Sequence, residues 1–154
     1  MPQYAATTDV PSDRSRAQIE KTIARYGATQ FAYGWDQGHA LVGFRMKDRQ
    51  VRFALPLPDR DSREFTLTPT ARRQRSAAQA EAAYEQAVRQ RWRALALVIQ
   101  AKLEAVESGI VTFEQEFLAH TVMPDGRTVA EHTLPVVEEA YRMGTVRPLL
   151  QIEA

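Results

Sequence analysis

Between Gln30 and Leu57 apolar residues recur at every second position, the signature of strands that bury one face. Phe31, Tyr33 and Trp35 form one row, Ala40, Val42, Phe44 and Met46 a second, and Val51, Phe53 and Leu55 a third. The pattern predicts a three-stranded antiparallel meander with strands Gln30–Trp35, Ala40–Met46 and Gln50–Leu57. All three rows share a face only in certain registers, because a slip of one residue inverts a strand. A loop Asp36-Gln37-Gly38-His39 sets Trp35 opposite Ala40, Tyr33 opposite Val42 and Phe31 opposite Phe44. A two-residue loop Asp48-Arg49 then sets Met46 opposite Val51 and Phe44 opposite Phe53. That turn lacks the glycine that two-residue turns favour. Its register makes Arg45 and Arg52 direct neighbours on the other face, a like-charge pair that a carboxylate or a bound anion would relieve. It also lines up Ala32, Gly43 and Ala54 as a flat row, suited to a ligand or a packed helix.

A change of period to three and four marks the helices. Ile19, Ile23 and Tyr26 give a short helix over Arg14–Tyr26, opened by Ser12 or Asp13 and stopped by Gly27. The strongest helix opens at Ser76, with Gln79 completing a capping box, and runs to about Glu107. At 1.5 Å per residue it is on the order of 45 Å long. Tyr84, Val88, Trp92, Leu95, Ile99, Leu103 and Val106 are its core stripe, and from Ala94 onward it is apolar nearly all round. That half is expected to be buried on several sides, by the sheet and the C-terminal helices or by another subunit. Asp59–Arg75 has no period and reads as an extended loop ending in Arg72-Arg73-Gln74-Arg75. Thr112 with Gln115, and Thr128 with Glu131, open two short C-terminal helices; Pro135 restarts or kinks the last, and Gly144 ends it. The predicted class is α+β: an N-terminal helix, the meander, a long helix packed on the sheet and two short C-terminal helices. Residues 1–11 read as a flexible leader, residues 12–154 as a single domain, and the tail from Thr145 as packing on the body.

A chain of 154 residues suits one core. With no cysteine it has neither a disulfide framework nor a thiolate metal site. No run spans a bilayer and no signal peptide is visible, so no membrane partner is expected and the host-cell cytoplasm is the expected location. The net charge of +1 conceals a polarity. Residues 1–100 carry sixteen Lys and Arg against ten Asp and Glu, and residues 101–154 four against nine. Seventeen of the twenty cations are arginine, whose planar fork suits phosphate and carboxylate.

No enzyme site stands out. His39, His120 and His132 lack metal-ligand spacing, the carboxylates at Glu114, Glu116, Glu138 and Glu139 do not pair on a face, and no phosphate loop or nucleophile elbow is present. No catalytic residue, cofactor or metal is therefore expected. The basic set is more informative: Arg45 and Arg52 on the sheet, Lys47 and Arg49 at the hairpin tip, Arg72, Arg73 and Arg75 before the long helix, and Arg89 and Arg93 on it. Convergent, they would track a phosphate backbone. Tyr33 and Trp35 fall in the core row, so base stacking is not expected of them.

Four segments carry a resemblance: Arg14-Ser15-Arg16-Ala17 with Tyr26-Gly27-Ala28; Val51-Arg52-Phe53 with Leu55-Pro56-Leu57-Pro58; Arg89-Gln90-Arg91-Trp92-Arg93-Ala94-Leu95; and Pro124-Asp125-Gly126-Arg127-Thr128-Val129. They resemble a family of small, uncharacterised phage and prophage proteins over most of the chain, which implies a phage-associated origin and no particular activity. The order helix, meander, long helix is also similar in topology to the core of the Rad52-like single-strand annealing proteins. The sequence thus points to a non-enzymatic nucleic-acid-binding protein, a DNA annealing or recombination accessory acting as an oligomer through its long helix. The alternative is an inhibitor or adaptor that engages a host or phage protein, in keeping with the charge polarity.

Overall fold

The computed structural model describes residues 12–147. The expected leader, residues 1–11, and the end of the expected tail, residues 148–154, lie outside the described residues. The order is α1 (Ser12–Arg25), β1 (Gln30–Asp36), β2 (His39–Met46), β3 (Arg49–Pro56), α2 (Arg63–Thr66), α3 (Ala77–Glu107), α4 (Phe113–Glu116), a 3-10 turn (Leu118–His120) and α5 (Val129–Met143). The class is α+β as the sequence predicts, with a meander in the order β1-β2-β3. On its inner face α1 and α3 pack side by side, and Ile19, Ile23, Val42, Phe44, Val51, Trp92, Ile99, Leu103, Phe113 and Phe117 form one core.

The first hairpin has the expected register, with Phe31 opposite Phe44, Tyr33 opposite Val42 and Trp35 opposite Ala40. The second does not. Its turn is Lys47-Asp48, both at positive φ (50° and 59°), so Met46 faces Arg49, Phe44 faces Val51 and Val42 faces Phe53. The twist of a type I′ turn matches the strands, which outweighs the cost of placing two non-glycine residues in the left-handed region. A shift of two leaves every side chain on its expected face but changes the neighbours. Arg45 stands opposite Gln50 and Arg52 opposite Gly43, so the direct arginine pair is not formed. The flat row dissolves into Ala32–Gly43–Arg52 and Gly34–Leu41–Ala54. Ala32 and Ala54 remain exposed on this outer face. A Cβ on Gly43 would meet only backbone oxygen at 3.6 Å, an ordinary contact, so close approach does not demand a glycine there.

The long helix starts at its capping box, Ser76 with Gln79. Within the single chain its C-terminal half is not covered on all sides: Val98 and Ala101 are exposed on the side opposite the core stripe, the side that the expectation of a second subunit would concern. The segment 59–75 is more ordered than a loop. Phe65 is buried, its ring edge-on to Tyr84, and a bridge joins Leu67 to Gln74. At the other end, Phe117 is buried while its expected companion Leu118 is exposed. Thr121 pairs with Val51, and the Val122 N–H donates to the Gln50 carbonyl at 2.8 Å, which closes the free edge of β3. Pro135 does not restart α5. It cannot donate to the Glu131 carbonyl one turn back, and the Arg127 guanidinium donates to that oxygen instead, at 3.1 Å.

Candidate nucleic-acid interface

The outer sheet face owes its charge to strand alternation: Arg45 and Arg52 lie on it because Phe44, Val51 and Phe53 lie inside. Arg45 is exposed, and no ion pair or hydrogen bond engages its side chain among the described residues. Arg52 is half-buried, its Nη2 3.4 Å from Oε1 of Glu131. Glu131 is a shared carboxylate: Arg127 Nε lies 3.8 Å away, and Glu131 also accepts the Thr128 N–H in the capping box of α5. A carboxylate from the last helix therefore supplies the compensation that the sequence left open, at the modest strength of a solvated pair. At the hairpin tip, the Lys47 ammonium lies 5.9 Å from the Phe113 ring centroid, and Arg49 donates to the Asp48 carbonyl at 3.4 Å.

The remaining predicted cations are elsewhere. Arg75 braces its own segment by donating to the carbonyls of Phe65 and Glu64 at 3.3 and 3.5 Å. Arg72 and Arg73 are exposed beside it. Arg89 donates to the Gln86 side chain, and Arg93 to Gln18 across the α1–α3 contact. Since α3 covers the inner face, the sheet separates Arg89 and Arg93 from Arg45 and Arg52. The nine basic residues thus form three groups, not one groove: the outer face with its tip, the segment before α3, and the helical layer. A shallow groove of about 270 Å³ runs beside Arg89, lined also by Ser12, Arg60, Tyr84, Val88 and the carboxylates Glu81 and Glu85.

The sequence reading missed an aromatic pair. Tyr33 and Trp35 lie on the inner face as the alternation requires, yet Trp35 is 83% exposed and Tyr33 54%. The helices cover the part of that face built by β2 and β3, and the far end of β1, an edge strand, overhangs. The Arg16 guanidinium sits 4.8 Å from the Tyr33 ring centroid and 5.3 Å from that of Trp92, so it bridges the exposed platform to the core. Arg91 lies at the same end of the sheet but on its other edge, its Nη1 donating at 3.3 Å to the carbonyl of Pro56, which faces His39. One signal for this site was present in the sequence: Trp35 adjoins the turn and faces only Ala40.

Other chemistry is sparse. Among the described residues no group of three or more His, Asp or Glu is placed to hold a metal, and no helix is long and apolar enough to cross a membrane. His120 stacks on Phe53 with ring centroids 4.1 Å apart. Burial holds its pKa below the ordinary imidazole value and the Lys102 charge adds to this, against a backbone hydrogen bond at Arg52 that raises it. Asp125 is held below the usual carboxylate range by the Arg127 N–H and then by His132, whose Nε2 lies 2.7 Å from its Oδ2.

Fold and surface define a mixed α+β protein, a two-layer helix–meander–helix body that displays an aromatic edge and a separate arginine-bearing sheet face. No protein-family model, curated protein or solved structure matches the chain.

Proposed function

We propose that the protein is a non-enzymatic binder of single-stranded nucleic acid, an accessory to phage DNA annealing or recombination. The observation that carries this reading is the exposed pair Trp35 and Tyr33 with Arg16 lying on the tyrosine ring. Two residues apart on one strand, the rings start from backbone positions roughly 6.6 Å apart, room for bases to lie on or between them. Every base has a π-face, so such a platform is tolerant of sequence, and each stacked base contributes about 1–3 kcal/mol. Arg16 supplies charge for the backbone beside the rings, Arg91 at the same end of the sheet on its other edge, and Arg45 on the opposite face.

Fluorescence anisotropy with labelled oligothymidine and its duplex tests the reading, at low and at moderate salt. Binding of the single strand that weakens with salt and falls at least tenfold in Trp35→Ala with Tyr33→Ala is expected. Arg45→Ala is expected to reduce affinity and salt dependence by a smaller amount. No binding at low salt, or full binding by the doubly substituted, folded protein, overturns the proposal and favours the protein-binding alternative.

A further inference from the structure

The two edges of the sheet are finished differently. Thr121 and the Val122 N–H close the edge of β3. Beside β1, the other edge, the described residues place no strand and no bridge. In an antiparallel ladder each residue directs its N–H and C=O to one side, and the next residue to the other. The Leu57 N–H donates to the Gly38 carbonyl at 2.7 Å, so the even-numbered residues of β2 bond to β3 and the odd-numbered ones to β1. Their partners Gln30, Ala32, Gly34 and Asp36 therefore direct their main-chain groups to β2. Phe31, Tyr33 and Trp35 direct theirs to the open edge. Nothing in the strand blunts that edge: β1 has an unbroken register and holds neither proline nor lysine.

We infer that this edge pairs with β1 of a second copy of this chain, antiparallel about a two-fold axis at Tyr33. Only the odd-numbered residues can bond there, so the axis must set them opposite one another. Centred on Ala32 it leaves Trp35 without a strand partner, and centred on Gly34 it leaves Phe31 without one. Centred on Tyr33 it sets Phe31 opposite Trp35 of the second copy and Tyr33 opposite its own counterpart, and every open N–H and C=O is satisfied. The side chains agree with that register. On the inner side it makes aromatic neighbours of Phe31 and Trp35 and of the two tyrosines, which covers part of Trp35, 83% exposed in the single chain. On the outer side Ala32 meets Gly34, both small. Asp36 falls opposite Gln30 of the second copy, whose own neighbour across the sheet is Arg45. Asp36 and that Arg45 are then two strands apart, about 10 Å at the backbone, within reach of an extended arginine. Both are exposed, and no ion pair or hydrogen bond engages either side chain among the described residues. The axis thus brings together two unpaired opposite charges, and does so twice. Arg16 lies between Tyr33 and Trp92, on the body side of the tyrosine ring and away from its counterpart. Complementarity to itself is what an isologous dimer requires, and it favours a second copy over an unrelated strand. Two strands of seven residues bury less than the roughly 1,200–2,000 Å² of stable complexes, so dimerisation depends on concentration. The pairing joins the two aromatic edges into one row, and it does not depend on nucleic-acid binding.

Light scattering behind size exclusion, on the full chain without nucleic acid from roughly 5 to 200 μM, is the first test. The mass is expected to approach twice that of the monomer with rising concentration. Tyr33→Pro removes a donor that faces the open edge and none that holds β1 to β2, so a folded monomer is expected, with native circular dichroism. Tyr33→Val, which keeps the N–H, and Val98→Glu on the exposed side of α3 are expected to retain the dimer. Asp36→Arg is expected to weaken it roughly fivefold, and Asp36→Arg with Arg45→Asp to restore it. The chain has no cysteine, so introduced thiols report this contact alone. A Cβ on Gly34 meets nothing within 4 Å. A mixture of Ala32→Cys and Gly34→Cys proteins is expected to form disulfide-linked heterodimers in preference to homodimers. A monomer at every concentration, a dimer that persists in the folded Tyr33→Pro protein, a charge exchange that fails to restore pairing, or Ala32→Cys linking to itself as readily as to Gly34→Cys each overturns the inference.

Discussion

Replacing Phe117 with alanine is expected to unfasten the C-terminal third of the protein. The ring is fully buried and stands edge-on to Phe44 and Phe53, with centroids 5.9 and 6.3 Å away, and tilted against Phe113 at 4.9 Å. Its backbone carbonyl accepts the His120 N–H at 3.0 Å and the Thr121 hydroxyl at 2.9 Å. That turn is what delivers Thr121 and Val122 to the edge of β3. A buried Phe→Ala change costs about 3–5 kcal/mol, the cavity included. Edge-to-face pairs add about 0.5–1.5 kcal/mol each beyond burial, so the upper part of that range is expected, about 4–5 kcal/mol. A domain of this size has about 5–15 kcal/mol in total, so the loss removes about a quarter or more of it. Urea unfolding followed by circular dichroism measures the change, and amide exchange locates it: residues 118–143 should lose protection before α1 and α3. A loss below about 2 kcal/mol, or equal loss of protection everywhere, would refute the idea that this ring ties α4, the β3 edge and α5 to the core.

Three further outcomes are expected. The Ser15 hydroxyl is fully buried and has no hydrogen-bond partner among the described residues, so Ser15→Ala should stabilise the fold by about 1 kcal/mol; a melting temperature that falls would reveal a partner for it. Lys47→Asn with Asp48→Gly gives the second hairpin residues suited to positive φ at both turn positions and should add about 1–2 kcal/mol. In a protein of this length that is roughly 2–4 °C per kcal/mol, and an unchanged melting temperature counts against the turn type. Because the folded His120 pKa lies below its unfolded value of 6.5, the unfolded chain binds the proton first. This contribution to stability is present above pH 6.5 and is lost as the pH falls from 6.5 toward the folded value. His120→Phe keeps the stack on Phe53 and should flatten the slope of stability between about pH 7 and 5; the wild-type slope in the variant would assign it to other groups.

Which features were legible follows from how far each depends on distant parts of the chain. Helix boundaries were readable because caps are local: Ser76–Gln79, Thr112–Gln115 and Thr128–Glu131 all form their boxes. The first hairpin was readable because its turn holds Gly38 and its aromatic row admits one register. The second was misplaced by two residues, a slip invisible to alternation because it preserves every face. With Lys47-Asp48 for a turn, no glycine marked the place. That slip had consequences for the predicted site, since it created an arginine pair and a flat row that the molecule does not contain.

The aromatic edge was lost for a different reason. Alternation states which face a side chain points to, whereas exposure depends on how far the covering helices reach. Tyr33 and Trp35 are core residues by pattern and surface residues by position, because β1 is an edge strand whose far end extends past α1 and α3. Leu134, Val137 and Tyr141 repeat the case on α5, where an apolar stripe that reads as core has no core behind it. Both surfaces break the rule that pattern predicts burial, because the cover over a side chain is set by distant parts of the chain. The two surfaces differ in what surrounds them. Tyr33 carries the guanidinium of Arg16 on its ring, whereas the stripe on α5 is flanked by Glu131, Glu138 and Arg142, so the two surfaces differ in charge as well as in the element that exposes them.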